Sequence, residues 1–267
     1  MRLVTFEDAD HVAKPGILTQ RGVVSLGHVA SSLVDVIDRF EELRSSLERL
    51  ASDATPLEGV RLMAPLPRPG KILCTTGGNG QPLLMTLKSA ESVIGPGETI
   101  QLPDVGEEWQ FVPEAELGLV IRGPAKGVLA ADWRDVVFGY TCVVDVMARG
   151  DTLFGRDFWL AKADTLGPLG PCIVTADEVA DPNALRVQSF LNSAPLHDYS
   201  TSDAEFTTAQ LVEFATAVMT LYSGDVIACG TPAADLLPLT DGDSVEVVIE
   251  PIGQLSLRVA TLVGSRA

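Results

Sequence analysis

Three acidic residues interrupt segments that are otherwise apolar, and their types and spacing could do chemistry. Glu114 and Glu116 lie two positions apart in FVPEAELGLVI (residues 111–121), so in a strand both carboxylates point to the same face. Asp145 interrupts the apolar run TCVVDVM, where an unpaired carboxylate is costly to bury. Neighbouring carboxylates raise a pKa or require a cation, and a set of three carboxylates suits Mg²⁺ or Mn²⁺.

The same pattern also has a purely structural interpretation. Glu114 and Glu116 would then belong to a solvated sheet edge, and Asp145 would pair with Arg149. Spacing alone does not choose between a metal site and a solvated edge, so both interpretations stay open at this point.

Two further segments offer groups that could bind a substrate. Lys162 lies between apolar residues in FWLAKAD, and near the three acids its ammonium could neutralise a substrate carboxylate or stabilise an enolate. The alternative is a surface lysine whose stem packs on apolar side chains. Gly230 and Thr231 follow an apolar segment, where they could aim N–H groups and a hydroxyl at an anion, although a plain turn has the same sequence.

The composition of the whole chain restricts its partners. Its 267 residues include 36 acidic and 19 basic ones, a formal net charge of -17, which repels nucleic acids and anionic membranes. No apolar run is long enough to span a bilayer, and the first residues do not resemble a secretory signal. The four cysteines lie far apart in apolar runs, which predicts buried, reduced thiols. We therefore expect a cytoplasmic protein that acts on a small molecule.

Hydrophobic periodicity predicts an α+β, mainly β fold in two domains. Residues 1–65 form a small N-terminal α+β unit with two short strands and a helix from Ser31 onward, and a Pro-rich linker leads into the unit at 66–267. Loop-linked strands with few helices favour a mixed sheet closed into a barrel-like roll. In the second unit the predicted strands lie at 117–121, 141–146, 172–175, 185–191, 226–229, 244–249 and 255–263, and the predicted helices at 131–138 and 209–221.

Short motifs follow one another in a fixed order along the chain. They are Glu114-Ala-Glu116, Gly139-Tyr-Thr141, Asp145-Val-Met-Ala-Arg149, Lys162, Pro168-Leu-Gly-Pro171, Gly224-Asp225, Gly230-Thr-Pro232, Gly242-Asp243 and Ile252-Gly253. In this order they resemble the fumarylacetoacetate hydrolase (FAH) superfamily from about residue 71 to the C-terminus. The preceding stretch is similar to the small N-terminal domain that such proteins often carry. The resemblance implies an FAH-type mixed β-sandwich roll and a homodimer.

The resemblance also implies a site for Mg²⁺ or Mn²⁺ with a substrate site beside it. The metal ligands would be Glu114, Glu116 and Asp145. Members of the family act on 2-oxo acids and 1,3-dicarbonyl acids, and by family majority this chain would be a hydrolase of carbon–carbon bonds in aromatic catabolism. Lys162 would be the catalytic, active-site lysine, and Thr231 the threonine that contacts a substrate carboxylate. The other substrate-binding residues would be Gly230, Lys88 and Arg149.

One departure from the family pattern changes the expected chemistry. Hydrolytic members carry an Asn-Tyr-x-x-His-x-x-Glu type segment after the strand that corresponds to KILC, and its His and Glu activate water. Residues 74–88 of this chain are predicted to form a shorter loop that has neither residue, and His197 is expected in a surface loop. Gly150 also stands where the family usually has Asp. Three hypotheses follow: a hydrolase, an isomerase, tautomerase or decarboxylase of the same substrate class, and a non-catalytic metal-binding relative.

Overall fold

The computed structural model describes residues 1–78, 80–150, 155–232 and 237–262, and these residues form two β-sheets with few helices. The mainly β prediction is therefore confirmed. The helices are α1 Leu33–Asp38, α2 Phe40–Asp53, α3 Arg156–Leu160 and α4 Thr208–Val218. The strands are β1 Arg2–Glu7, β2 Ala13–Thr19, β3 Gly22–Ser25, β4 Arg61–Leu62, β5 Ile72–Gly78, β6 Gln81–Lys88, β7 Thr99–Leu102, β8 Gln110–Ile121, β9 Val137–Arg149, β10 Leu169–Thr175, β11 Arg186–Leu191, β12 Ala194–Ser200, β13 Val226–Ala228, β14 Ser244–Ile249 and β15 Gly253–Thr261.

The two sheets are mixed and share an apolar core. The larger sheet has the order β3-β2-β1-β10-β9-β8-β13-β5-β6, with β4 beside β1, and the smaller has the order β12-β11-β14-β15-β7. Most pairs are antiparallel, but β13 runs parallel to β5 and β15 parallel to β7. Leu117 and Val144 of the larger sheet pack in one cluster with Val247 and Leu257 of the smaller one. The chain is thus a β-sandwich whose two apolar faces meet.

Strands β8 and β9 lie in the middle of the larger sheet and are buried on both faces. Their second face packs with the helices of the N-terminal region, since Val120 and Val143 share a cluster with Leu33 and Phe40. Because both faces are buried, most positions of these strands carry an apolar residue. Both strands extend beyond the predicted bounds.

The helix predicted at 131–138 is wrong in part. A 3-10 helix spans Ala130–Val136, and β9 begins at Val137. Val137 and Phe138 are buried in the sheet core, so packing overrides the helical pattern there. The other predicted helix is confirmed as α4, and its capping box is present: Gln210 N donates to Thr207 Oγ1, and Thr207 N donates to Gln210 Oε1.

The N-terminal region extends the sheet of the rest of the chain. Leu3 of β1 pairs with Ile173 of β10, so the predicted boundary between residues 65 and 66 runs through one continuous sheet. The helix predicted from Ser31 is divided into α1 and α2 at Arg39, and Ser32 caps α1 by accepting a hydrogen bond from Asp35 N.

Two segments predicted as loops are strands. Residues after KILC form the hairpin of β5 and β6, in which Thr75 pairs with Met85 and Thr76 with Leu84. Strand β6 is an edge strand with exposed Leu84 and Leu87, so its side chains lack the alternation that marks a half-buried strand. His197 lies on β12 and is buried, so the prediction of a surface-loop histidine is wrong.

Two general predictions concern the thiols and the bilayer. All four cysteines are free, and three of them are buried while Cys229 is half-buried, as the sequence predicts. Within the described ranges, no helix is long and apolar enough to cross a bilayer.

Candidate active site

The ladder between β8 and β9 gathers the three predicted metal ligands. Glu114 pairs directly with Asp145, and Glu116 follows two positions later on the same face of β8. Glu116 is 0% exposed and Asp145 2%, while the side chain of Glu114 is 15% exposed. Three carboxylates therefore lie on one face in the middle of the larger sheet.

This arrangement contradicts the structural alternative for the three acids. Glu116 is 0% exposed and the side chain of Glu114 is 15% exposed, so neither belongs to a solvated sheet edge. Arg149 contacts Glu114, with Nη2 3.3 Å from Oε1, and the partner of Asp145 is Lys88. Both parts of the solvated-edge interpretation are thus wrong.

Burial and mutual repulsion disfavour the ionised forms of these carboxylates. Burial raises the pKa of Glu114 to about 7, with the charge of Asp145 as the next cause. Burial also raises the pKa of Glu116 well above its usual range, followed by the charges of Asp145 and Glu114. The Gly230 N–H donates to Glu116 Oε2 at 2.7 Å and acts in the opposite direction. The cluster therefore needs compensating positive charge.

Two carboxylate oxygens of the cluster are buried without a hydrogen bond. They are Glu116 Oε1 and Asp145 Oδ1. Asp145 Oδ1 lies 2.7 Å from Lys88 Nζ, an ion-pair contact without hydrogen-bond geometry. Buried acceptors without a donor are costly, and a bound cation removes that cost.

The donor set fits a hard divalent ion. Across the described ranges, no three His, Cys, Asp or Glu side chains have already converged as a ligand cluster, and Lys88 and Arg149 contact two of the carboxylates. The orphaned oxygens of Glu116 and Asp145 are nevertheless the type of donor that Mg²⁺ and Mn²⁺ take. Glu114, Glu116 and Asp145 are therefore the residues that would hold such an ion.

Lys88 lies behind this cluster, away from the open space in front of it. Its side chain is 0% exposed, and besides Asp145 it donates to the carbonyl oxygens of Val146 at 2.9 Å and Ala161 at 2.7 Å. The sequence predicts a substrate-binding residue here. That role stays a prediction; in the structure, Lys88 places a fixed positive charge beside Asp145 and links β6, β9 and the end of α3.

Lys162, the predicted catalytic residue, is half-buried beside the hairpin of β5 and β6. Its ammonium donates to Thr86 Oγ1 at 2.9 Å rather than reaching into solvent. Burial lowers the pKa of Lys162, which brings its neutral amine closer to the physiological range.

A cavity of about 180 Å³ opens in front of the carboxylates. Glu114, Asp145 and Arg149 lie on its wall, and Asp157 of α3 adds a third carboxyl group. The sequence does not indicate Asp157 or the threonines, because its pattern favours a loop where the hairpin lies and carries no helical signal for α3. The other lining residues are Cys74, Thr75, Thr76, Thr86, Met147 and Ala148.

Gly230 and Thr231 lie behind Glu116, where they meet β12. The Gly230 N–H is occupied by Glu116, and the backbone of Gly230 has φ +82°, a conformation that favours glycine. Thr231 hydrogen-bonds with Tyr199, whose hydroxyl also donates to Ala115 O at 2.7 Å. Sequence reasoning missed Tyr199, which carries no local motif.

The glycine at position 150 has a local packing reason. A Cβ built there would lie 2.7 Å from Trp109 Cε3 and 2.9 Å from Glu108 O. The aspartate that the family usually carries at this position therefore does not fit unless both Trp109 and the backbone at Glu108 move.

Comparisons with known proteins agree with this architecture. A family model described as "Fumarylacetoacetate (FAA) hydrolase C-terminal" matches residues 77–260. A mitochondrial oxaloacetate tautomerase of Bos taurus is 31% identical over 293 residues, covering 97% of this chain and 91% of its own length. Oxaloacetate tautomerase YisK of Bacillus subtilis (strain 168) is 32% identical over 274 residues, covering 90% of each.

A solved structure gives the same fold with ligands bound. Maleylpyruvate hydrolase from Sphingobium sp. SYK-6, in complex with manganese (II) ion and pyruvate, superposes with a TM-score of 0.86 at 31% identity. The superposition covers 98% of this chain and 99% of that one. The family model covers most of the chain, and the similar proteins are enzymes that share its sandwich. The chain belongs to the fumarylacetoacetate hydrolase family and is one of its enzymes.

Proposed function

We propose that this protein is a tautomerase or isomerase of a small 2-oxo acid that depends on Mg²⁺ or Mn²⁺. The observation that carries the proposal is the composition of the cavity wall: it combines Glu114 and Asp145 with three threonine hydroxyls, and none of its described residues is a histidine. Tautomerisation needs a proton shuttle and a stabilised enolate but no activated water. Two similar proteins that align over 90% or more of this chain are oxaloacetate tautomerases, so oxaloacetate is the substrate to test first.

A second candidate is the hydrolysis of a carbon–carbon bond, the reaction expected from the family majority. The likeness to maleylpyruvate hydrolase supports it. The hairpin of β5 and β6, where hydrolytic members carry their His and Glu, weakens it, because its sequence contains neither residue. Decarboxylation of the same class of acid is a third outcome of the test. The hypothesis of a non-catalytic relative is wrong, since the chain is an enzyme of the family.

The residues of the site divide the work of such a reaction. A divalent ion, when bound, supplies Lewis-acid stabilisation of negative charge on the substrate. Glu114, Glu116 and Asp145 would hold it, and Lys88 keeps Asp145 in place from behind. Lys162, half-buried on Thr86, would hold a proton near the enolate oxygen or bind a carboxylate.

The experiment measures three reactions with one preparation. The purified protein with Mn²⁺ is mixed with the enol form of oxaloacetate, and the decrease in the ultraviolet absorbance of the enol is compared with that in buffer alone. In parallel, hydrolysis is measured as the release of pyruvate from an acylpyruvate. Decarboxylation is measured as the release of carbon dioxide from oxaloacetate. We expect enol–keto conversion at least about 100-fold above buffer, lost in EDTA and in Glu116→Gln. Faster cleavage or decarboxylation than tautomerisation would overturn the proposal.

Three further expectations accompany this function as proposals: a homodimer, a cytoplasmic location and a role in aromatic catabolism. Light scattering after size-exclusion chromatography tests the first, and a monomer at micromolar concentration would contradict it.

A further inference from the structure

One acidic residue on the cavity wall lies outside the carboxylate cluster of β8 and β9. Asp157, in the first turn of α3, lines the same cavity as Glu114 and Asp145. Its Oδ1 is buried and accepts no hydrogen bond, and Asp157 makes no ion pair within the described ranges. A buried acceptor without a donor lowers stability, so the position of Asp157 Oδ1 on the cavity wall suggests a functional reason for it, such as a bound ligand.

The other ionisable groups nearby are already engaged. Glu114 contacts Arg149, and Asp145 contacts Lys88. Both carboxylates also belong to the set that would hold the divalent ion, and an oxygen bound to a cation is a poor proton acceptor. Lys162 donates to Thr86 and is not on the cavity wall. Asp157 is therefore the carboxylate of the described wall that is open to a substrate proton.

We propose that Asp157 is a catalytic residue that moves the substrate proton between C3 and solvent. This inference rests on the proposed function. In the keto form of a 2-oxo acid, the Asp157 carboxylate accepts a proton from C3, the C–H electron pair forms the C2–C3 double bond, and the carbonyl π pair moves onto oxygen. That oxygen takes a proton from water to give the enol, and Asp157 returns its proton to water, so no proton is gained or lost overall. The reverse sequence gives the keto form, so the isomerisation consumes no other reactant.

This assignment explains how the site works without the water-activating pair. A tautomerase needs one base that faces C3, and a carboxylate on α3 approaches the cavity from outside the sheet that carries the metal ligands. A positioned general base contributes about 10²- to 10⁴-fold to a rate. A variant without this base should therefore keep a measurable residual rate, which comes from stabilisation of the enolate charge.

The test compares Asp157→Asn with the wild type and with Asp164→Asn, a change at an exposed acid of the same segment. With oxaloacetate and Mn²⁺, we expect Asp157→Asn to lower kcat at least about 100-fold while KM changes less than about threefold. The affinity for Mn²⁺, measured by calorimetry, and the thermal midpoint should stay at wild-type values. Asp164→Asn should keep its activity.

A second variant separates proton transfer from a structural role. Asp157→Ala should regain activity in proportion to added formate, a small carboxylate that can occupy the space of the deleted one, and Asp164→Ala should not respond to formate. The inference is overturned if Asp157→Asn keeps its kcat within about threefold, if it loses Mn²⁺ binding together with activity, or if formate rescues nothing. An inactive wild type would instead overturn the proposed function, so the two failures are distinguishable.

Discussion

Lys88 and Asp145 form an ion pair from which water is almost completely excluded. The two side chains are 0% and 2% exposed, and two carbonyl oxygens complete the surroundings of the ammonium. Burying two charges is favourable only when both partners are present, because either one alone remains an uncompensated charge. The metal-free site therefore depends on Lys88 for its charge balance.

The first prediction concerns the loss of this partner. We expect Lys88→Met to lower the free energy of unfolding in EDTA by about 3–5 kcal/mol, since Asp145 is left buried and unpaired. Urea denaturation measures this change, and Mn²⁺ should recover part of it by supplying positive charge.

Lys14→Met is the matched control for this substitution. Lys14 pairs with Asp8 in an ion pair whose lysine side chain is 39% exposed, so its loss should lower the free energy of unfolding far less than the loss of Lys88. Equal losses in the two variants would contradict the role given to burial.

The second prediction concerns pH and Glu114. Burial and the charge of Asp145 raise the pKa of its carboxyl from the ordinary 4.5 to about 7 in the folded chain. Between these values the folded state holds a proton that the unfolded state has lost, so stability falls as the pH rises through this window. The loss from this group reaches at most about 3 kcal/mol by pH 8.

Glu114→Gln removes that titration. Denaturation in EDTA at pH 5 and pH 8 should show a smaller decrease in the free energy of unfolding for this variant than for the wild type. Glu48→Gln, which changes an exposed acid on α2, should keep the wild-type dependence. An unchanged dependence in Glu114→Gln would show that its carboxyl does not titrate in this range.

At the scale of elements, α4 shows how a local sequence signal becomes structure. Thr207 and Gln210 exchange hydrogen bonds that satisfy two N–H groups at the start of the helix. We expect Thr207→Ala to lower the free energy of unfolding by about 0.5–2 kcal/mol, measured by urea denaturation. Ser45→Ala, at an exposed position inside α2, should change it by less than about 0.5 kcal/mol. A cost no larger than that of the control would mean that the cap adds nothing.

The sequence predicts elements well where the signal is local and poorly where long-range pairing decides. The predictions of helix α4 and strand β14 agree with the structure, and the spacing of Glu114 and Glu116 correctly predicts that both lie on one face. Strand β6 and His197 were missed, because an edge strand and a strand with polar outward residues lack a clear period of two.

The candidate site was predictable in part for the same reason. Glu114, Glu116 and Asp145 stand out because they interrupt apolar strands. Lys88 contacts Asp145, and Asp157 reaches the cavity, only because the fold brings together segments that are distant in sequence. No local sequence pattern predicts either feature.

At the scale of the whole molecule, the N-terminal residues are part of the sheet that carries the site. Strand β1 covers the edge of β10, and α1 and α2 cover an apolar face that includes Val120 and Val143. Removing residues 1–65 would expose that edge and that face to water together.

The last prediction follows from this coverage. We expect a fragment of residues 66–267 to unfold without a cooperative transition and to bind a hydrophobic dye, whereas the full chain shows one transition and little dye binding. Calorimetry and dye fluorescence measure both properties. A fragment that melts cooperatively and binds Mn²⁺ as the full chain does would show that the predicted division at 65/66 separates two independent domains.

Strand β6 lies at the edge of the larger sheet and forms part of the cavity wall, so this part of the wall can change without the rest of the sheet. Among the described residues it pairs with β5 alone, yet Thr75, Thr76 and Thr86 of this hairpin line the cavity, while the carboxylates lie three strands or more from that edge. A longer hairpin can be inserted there without breaking a second ladder, since long surface insertions add little closure entropy. Changes confined to this edge hairpin can therefore alter the reaction while the rest of the sheet stays the same. Grafting a histidine and a glutamate onto the hairpin would be the corresponding change in protein engineering.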